Sequence, residues 1–261
     1  MQVVARSEKP KPCHSRANEA GRPQASGVRK IAQVSMASFP HGNDNGSANR
    51  FEEDRRLMVE TQIRKRGVTD ERVLQAMATV PRHQFVPTFW TNQAYADEPL
   101  LIGHGQTISQ PYIVAAMVAS LGLTGSENVL EIGTGCGYQA AVVSLLVRQV
   151  HSVEILPDLA KSAAERLQRL GYANVHVHCG DGTLGWPESS PYDAILIAAA
   201  APAVPEPLLE QIADGGSLIA PVGGEEKQEL QLVIKHEGKF LVKQAGQCRF
   251  VPLMGQHGWR K

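Results

Sequence analysis

The chain carries no net charge: across its 261 residues, 26 Lys and Arg balance 26 Asp and Glu. A protein built along its whole length to coat nucleic acid would be clearly basic, so that class is excluded for the chain as a whole. Long hydrophobic runs are missing too. The longest, Tyr112 to Leu123 and Ala194 to Val204, fall short of the ~18–20 residues that a bilayer span needs. Met1-Gln2-Val3-Val4-Ala5-Arg6 leads into no apolar stretch of the kind a secretory signal carries. Cysteine is scarce and scattered. Cys13, Cys136, Cys179 and Cys248 form no C-x-x-C pair, which speaks against a disulfide framework or a zinc site and for reduced thiols in a cytosolic protein. No internal repeat is present. The remainder is ordinary: a hydrophobic content of 43% and a length of 261 residues suffice for one large domain or two small ones.

The charge is unevenly spread. Residues 1–50 hold eight Lys or Arg against three Asp or Glu, contain no Leu, Trp or Tyr, and have one Phe, Phe39. A segment so poor in large apolar groups cannot offset its ordering entropy, which predicts a disordered basic tail over 1–50. Its basic character fits a nucleic-acid tether or a targeting peptide. A solvated extension, or a start codon upstream of the true one at Met36 or Met58, is the plainer reading and the preferred one.

From Arg55 the pattern becomes that of a folded domain, 51–261. Leu57, Met58, Gln62 and Ile63 predict a helix that stops at Gly67. Asp70 can cap a second, carrying Val73, Leu74, Met77 and Val80 and ended by Pro81. Residues 82–111 read as loop, and Ile113 to Leu121 as a helix. A regular alternation comes next: strands at Asn128–Ile132, Gln149–Glu154, Val175–Cys179, Asp193–Ala198 and Ser217–Val222, with helices at Gln139–Leu146, Pro157–Leu170 and Pro207–Ile212. Strand–helix–strand alternation implies a mostly parallel, doubly wound α/β sheet covered on both faces. Leu230–Lys235 and Lys239–Lys243 flank His236-Glu237-Gly238 as an antiparallel hairpin. The expected division is an N-terminal helical part, 51–125, and a Rossmann-like core, 126–261.

The central motif is Val129-Leu130-Glu131-Ile132-Gly133-Thr134-Gly135-Cys136-Gly137-Tyr138. Glycines let the backbone turn tightly and approach a ligand, and the helix N-terminus offers free N–H groups. A dinucleotide fingerprint would need its third glycine at position 138, which is Tyr138. The alternating form E-x-G-x-G-x-G instead resembles the loop of S-adenosylmethionine-dependent methyltransferases. Glu154 ends the second strand, where a carboxylate can accept both ribose hydroxyls. Asp181, in Gly180-Asp181-Gly182, comes after the third strand and could accept the adenine amino group, with Gly182 permitting close approach. Singly, each acid could be a solvated carboxylate at a strand end. His176, His178 and Cys179 invite a metal reading, but in a strand the two histidines share a face that Cys179 does not, so no metal site is expected.

The segment after the fourth strand narrows the acceptor. Base-amine methyltransferases resemble one another in an N/D-P-P-Y-type motif there. This chain reads Ala198-Ala199-Ala200-Ala201-Pro202. It has no acidic pair for a magnesium ion of catechol-type chemistry and no Pro-Cys nucleophile for cytosine C5. An acceptor that needs no activation fits, and a carboxylate is already ionised at pH 7. Catalysis then rests on positioning, which can contribute roughly 7–11 kcal/mol.

Further motifs bring a resemblance into view: Met58-Val59-Glu60-x-Gln62-Ile63 with Arg66-Gly67; Val80-Pro81-Arg82-His83; Gly105-Gln106-Thr107-Ile108-Ser109-Gln110-Pro111; Gly180-Asp181-Gly182; Tyr192-Asp193-Ala194-Ile195; and Arg249-Phe250-Val251-Pro252-Leu253. Together with the glycine loop, they make the chain similar over most of 55–255 to the protein-L-isoaspartate O-methyltransferase family. The resemblance implies a Rossmann-like fold and methyl transfer from S-adenosylmethionine, leaving S-adenosylhomocysteine, to the α-carboxylate of L-isoaspartyl residues. The ester recloses to a succinimide, and hydrolysis returns some normal aspartate. By the same match Ser109 is the active-site serine, holding the substrate carboxylate, and Val251, Pro252 and Leu253 pair with the substrate backbone. Thr107, Ile108, Glu131, Gly133, Gly135, Gly137, Glu154, Asp181 and Gly182 would bind the methyl donor. The implied protein is a cytoplasmic monomer acting on isoaspartyl proteins and peptides, without metal, membrane or, for the catalytic domain, nucleic acid. Ser109 has a plain alternative as N-cap of the helix after Pro111, and Val251–Leu253 as an edge strand. At the level of function, a methyltransferase for tRNA adenine or a non-catalytic module that binds the same donor would share the loop.

Overall fold

The computed structural model describes residues 45–224 and 226–259. The first helix, α1, spans Asn45–Leu57 and continues as a wider turn, Met58–Ile63, and a tighter one, Arg64–Arg66, before Gly67 ends it at φ 98°. It starts ten residues before the expected Arg55, so Asn45–Arg50 belong to a helix and not to a tail. The physical reason lies far away in sequence: Phe51 stacks on the His83 ring at 4.1 Å, which anchors a polar helix that its own composition would not predict. Phe39 and Cys13 of the expected tail fall outside the described residues. Helix α2, Glu71–Thr79, is capped as expected, Asp70 accepting from the Arg72 and Val73 amides.

Residues 82–99 form two short 3₁₀ turns. A two-stranded antiparallel pair then lies within the stretch expected to be loop: β1, Leu100–Gly103, and β2, Gln106–Ile108. Its tip, Gly103-His104-Gly105, has three consecutive positive φ values, 99°, 52° and 71°. Helix α3 is Pro111–Ser120, with Gln110 at its N-cap and Pro111 in its first turn. Ser109 therefore caps nothing.

The alternating half runs β3 (Asn128–Ile132), α4 (Tyr138–Ser144), β4 (Gln149–Glu154), α5 (Pro157–Arg169), β5 (Val175–Cys179), β6 (Tyr192–Ile197), α6 (Glu206–Glu210), β7 (Ile212–Gly223), β8 (Gln228–His236) and β9 (Lys239–Cys248). The seven-stranded sheet has the order β5-β4-β3-β6-β7-β8-β9. β5 to β7 are parallel in that order, and β8 and β9 run antiparallel to their neighbours. The doubly wound expectation thus holds. β7 exceeds its expected span because Ile212 already pairs with Tyr192 before an irregularity at Gly215-Gly216. The hairpin is longer for a similar reason, its register extending to Gln228↔Cys248. One core packs the sheet on α1 to α5 through Met58, Met77, Val118, Val142 and Leu196. The other packs the opposite face on α6 through Ile132, Ile195, Leu208 and Leu218. The C-terminal ends of β3, β4 and β6 open between these layers, where open α/β sheets place ligands.

Candidate active site

A cavity of ≈ 620 Å³ lies at those strand ends, within the 300–1,000 Å³ range of ligand pockets. Its floor is the glycine loop. Gly133, Gly135 and Gly137 all hold positive φ, 91°, 54° and 87°. At Gly137 space matters as well: a Cβ would come within 3.0 Å of Leu167 Cδ1. Tyr138, where a dinucleotide site would have glycine, is buried against Phe85 (5.6 Å) and under the Arg82 guanidinium, tying the loop to the helical region.

Glu154 faces the cavity from the end of β4. Its Oε2 accepts from the Gly135 amide at 2.9 Å and its Oε1 from the Leu156 amide at 3.0 Å. A carboxylate has about four acceptor positions, so two remain. Glu154 is the only carboxylate among the described residues lining the cavity, and no Lys or Arg among them lines it.

Glu131 is different. It is 1% exposed and lies beneath the loop, outside the lining. Its Oε2 accepts from Ser152 Oγ at 2.5 Å, its Oε1 from Gln139 Nε2 at 3.2 Å, and Ser152 Oγ shares a 2.6 Å bond with Thr134 Oγ1. Burial pushes its pKa up to about 7, against the lowering effect of the Ser152 and Gln139 bonds. The geometry makes it a brace for the loop.

Asp181 also lies outside the lining. Its Oδ1 accepts from Thr183 N and Thr183 Oγ1, and its Oδ2 from Gln256 N at 2.7 Å. Burial raises its pKa, but the hydrogen bonds from Thr183 and Gln256 outweigh that and hold it below its ordinary value. Gly182 does line the cavity, where a Cβ would crowd Ile132 Cγ2 at 2.5 Å.

The opposite wall comes from two segments. Thr107, Ile108 and Ser109 enter from β2, held by the Leu101↔Thr107 and Leu100↔Ile108 pairs. The Ser109 hydroxyl has no protein partner among the described residues. Val251, Pro252 and Leu253 form the other segment, paired in parallel with Ala200 through Ala200 N to Val251 O (2.8 Å) and Leu253 N to Ala200 O (2.7 Å). The alanine run thus acts through its backbone, its small side chains admitting a strand. Proline leaves the free edge of this segment without an N–H at its centre.

This arrangement brings together Ser109, the glycine loop, Glu154, Gly182 and Val251–Leu253 around one cavity. The family model for protein-L-isoaspartate(D-aspartate) O-methyltransferase matches residues 53–258. The chain belongs to this family. Among its relatives, a protein-L-isoaspartate O-methyltransferase of Methanoculleus marisnigri is 53% identical over 207 residues, covering 79% of this chain and 94% of that one. Protein-L-isoaspartate O-methyltransferase 1 of Syntrophobacter fumaroxidans is 53% identical over 209 residues, covering 80% and 98%. A solved protein-L-isoaspartate O-methyltransferase is 32% identical with a TM-score of 0.71, covering 79% of this chain and 67% of that one. A Plasmodium falciparum chain solved with S-adenosyl-L-homocysteine is 24% identical with a TM-score of 0.67, covering 77% and 98%, and shares the fold.

As a member of the isoaspartate methyltransferase family, the chain fits a cationic donor that carries an amine and hydroxyls. Besides the free acceptor positions of Glu154, the Gln139 Oε1 atom is buried at the cavity with no partner. Gln139, Ser152, Thr134, His104 and Trp259 were not singled out from sequence, because each acts through a contact that no local motif announces. Among the described residues no group of three His, Cys, Asp or Glu is placed to hold a metal ion. His176 and His178 share a face as expected, and the buried His151 joins them, its Nδ1 lying 3.0 Å from His178 Nε2. No helix among the described residues is long and apolar enough to cross a membrane.

Proposed function

We propose that this chain transfers the methyl group of S-adenosylmethionine to the α-carboxylate of L-isoaspartyl residues in damaged proteins and peptides, initiating their return to aspartate through a succinimide. The observation that carries the reading is the Ser109 hydroxyl, which has no protein partner among the described residues and lines the cavity that also holds the glycine loop and Glu154. The donor supplies an electrophilic methyl on a sulfonium when bound. Glu154 accepts the ribose hydroxyls, Gln139 Oε1 is available to the amine, and Gly133–Gly137 wrap the donor closely. Thr107, Ile108 and Gly182 complete its enclosure. Glu131 contributes from below, and Asp181 through the turn that it holds.

On the acceptor side Ser109 donates a hydrogen bond to the substrate carboxylate. A neutral hydroxyl orients the oxygen without the charge neutralisation that a Lys or Arg would impose, which keeps it nucleophilic. The carboxylate is ionised at pH 7, so no general base is needed, and orientation supplies the rate. Val251, Pro252 and Leu253 lie beside an extended substrate backbone, for which Pro252 offers a carbonyl and no donor.

The free thiols of Cys136, Cys179 and Cys248 support a cytoplasmic setting. The charge balance of residues 51–261, 18 Lys and Arg against 23 Asp and Glu, supports a protein substrate over nucleic acid. We read the enzyme as a metal-independent monomer in which 51–125 is the substrate-side part, lending Thr107 and Ile108 to the donor, and 126–261 is the donor-binding core, lending Val251–Leu253 to the acceptor. Methyl transfer to paired peptides differing only in Asp or isoAsp tests the function. Labelling confined to the isoAsp peptide is expected; equal or absent labelling of both overturns it.

A further inference from the structure

The turn after β5 serves both walls of the cavity. Gly182 lines the cavity, while the next residue, Thr183, is fully buried and lies outside the lining. Its Oγ1 donates to Asp181 Oδ1 at 2.6 Å and accepts from the His257 amide at 3.1 Å. The Gln256 amide bonds Asp181 Oδ2 alongside at 2.7 Å. The C-terminal segment thus lays the tip of a closed turn on this pair. The base of the turn is cross-linked by Trp259 N to Leu253 O at 2.8 Å, and Gly258 N to Gly255 O (3.2 Å) closes it internally.

The fit is close. A Cβ at Gly255 would collide with Asp181 Oδ1 and lie 2.7 Å from Thr183 Cγ2, and one at Gly258 would collide with Leu253 O. The acceptor-side segment has a second anchorage at the Ala200 carbonyl, which takes both Leu253 N (2.7 Å) and Trp259 Nε1 (2.9 Å). Leu253 therefore depends on Ala200 from one side and on this turn from the other.

We propose that Thr183 is a positioning residue for the acceptor. Its hydroxyl, bonded at once to Asp181 and to the His257 amide, fixes the turn that holds Val251–Leu253 at the cavity wall. The proposal rests on the isoaspartyl reading only in naming the acceptor. The chemistry needed at 183 is a buried hydroxyl that donates and accepts together. Serine provides it and valine, with the same shape as threonine, does not.

The test compares full-length T183V and T183S with the unaltered chain by three measurements: hydrogen exchange of residues 251–259, KM and kcat for an isoAsp peptide, and calorimetric affinity for S-adenosyl-L-homocysteine. T183V removes both bonds of the hydroxyl, of which the one from the His257 amide holds the turn, and loss of that bond corresponds to roughly three- to tenfold. T183V is expected to exchange faster over 254–259 and to raise the peptide KM by that factor, with kcat and S-adenosyl-L-homocysteine affinity within about twofold. T183S is expected to behave as the unaltered chain. Unchanged exchange in T183V, an equal effect of T183S, or a loss of S-adenosyl-L-homocysteine affinity matching the loss of peptide affinity overturns the proposal. If the unaltered chain fails to methylate any isoAsp peptide, the function falls, and exchange alone decides the role of Thr183.

Discussion

The Gly135 amide donates to Glu154 Oε2 at 2.9 Å, so the one carboxylate among the described residues lining the cavity also holds the glycine loop at its floor. Its other oxygen takes the Leu156 amide at the start of α5. Two functions therefore converge on one charged acceptor. In Glu154→Gln one oxygen becomes an NH₂ set against an amide donor. A hydrogen bond to a charged group contributes about 1.5–3 kcal/mol, so affinity for S-adenosyl-L-homocysteine should fall about 10- to 100-fold. Calorimetric titration measures this, and an affinity within twofold of the unaltered chain would refute the assignment.

Ser109→Ala separates a catalytic hydroxyl from a structural one. Ser109 neither caps α3, whose N-cap is Gln110, nor bonds any described side chain. The substitution should leave unfolding free energy within about 0.5 kcal/mol of the original. Turnover of an isoAsp peptide should fall about tenfold, the worth of one oriented hydrogen bond. Unchanged turnover, or a loss of stability that accounts for the lost turnover, would count against the role.

Range in sequence separates the features that were legible from those that were hidden. The β3–loop–α4 unit, β4 and α5 were legible because apolar periodicity, Pro157 and the glycines are local signals. The start of α1 was not, since Phe51 finds His83 32 positions away. The β1–β2 pair was hidden for a related reason: its tip needs His104 at φ 52°, a conformation that composition does not announce. At the site, the motif disclosed Glu131, but its partners Ser152 and Gln139 come from β4 and α4. Asp181 lay in a recognisable tripeptide, yet Gln256, which takes up one of its oxygens, is 75 residues on. Motifs reported which residues matter, and only the fold reported which of them touch the cavity.

Two glycines with similar dihedrals should respond differently to alanine. Gly67 sits at φ 98° with open space where a Cβ would go, whereas Gly137, at φ 87°, would press that Cβ to 3.0 Å from Leu167 Cδ1. Gly67→Ala carries the backbone strain alone, about 1 kcal/mol. Gly137→Ala adds overpacking of roughly 1–3 kcal/mol and distorts the loop, so it should also weaken S-adenosyl-L-homocysteine binding. Denaturant unfolding of the two variants reads the difference, and equal losses would show that Leu167 yields freely.

His151 should make stability acid-sensitive. Burial, aided by the charges of His178 and His176, pushes its pKa down to about 4 from 6.5. The folded state then binds fewer protons than the unfolded state between those values. The stability it contributes is present above pH 6.5 and is lost as pH falls towards 4. His151→Gln keeps a polar group beside His178 and removes the titration. Its stability should decline less steeply than that of the original chain over that window. Parallel declines in denaturation series at stepped pH would assign the acid loss elsewhere.

Glu131 should act in the opposite sense. Burial raises its pKa from 4.5 to about 7, so the folded state binds more protons than the unfolded state across that interval. Stability is undiminished below pH 4.5, falls as pH rises through the window, and levels off above about 7. A shift of this size corresponds to roughly 3 kcal/mol. Glu131→Gln can keep both contacts, its carbonyl accepting from Gln139 and its amide donating to Ser152, while removing the ionisation. The variant should therefore match the original chain at acid pH and become the more stable of the two by up to roughly 3 kcal/mol near pH 7 and above. Unfolding curves of both chains from pH 4.5 to 8 measure the difference directly, with common titrations such as that of His151 cancelling. A difference that stays constant with pH would mean that Glu131 is already ionised beneath the loop. It would then brace Thr134 and Ser152 as a charge and not as an acid.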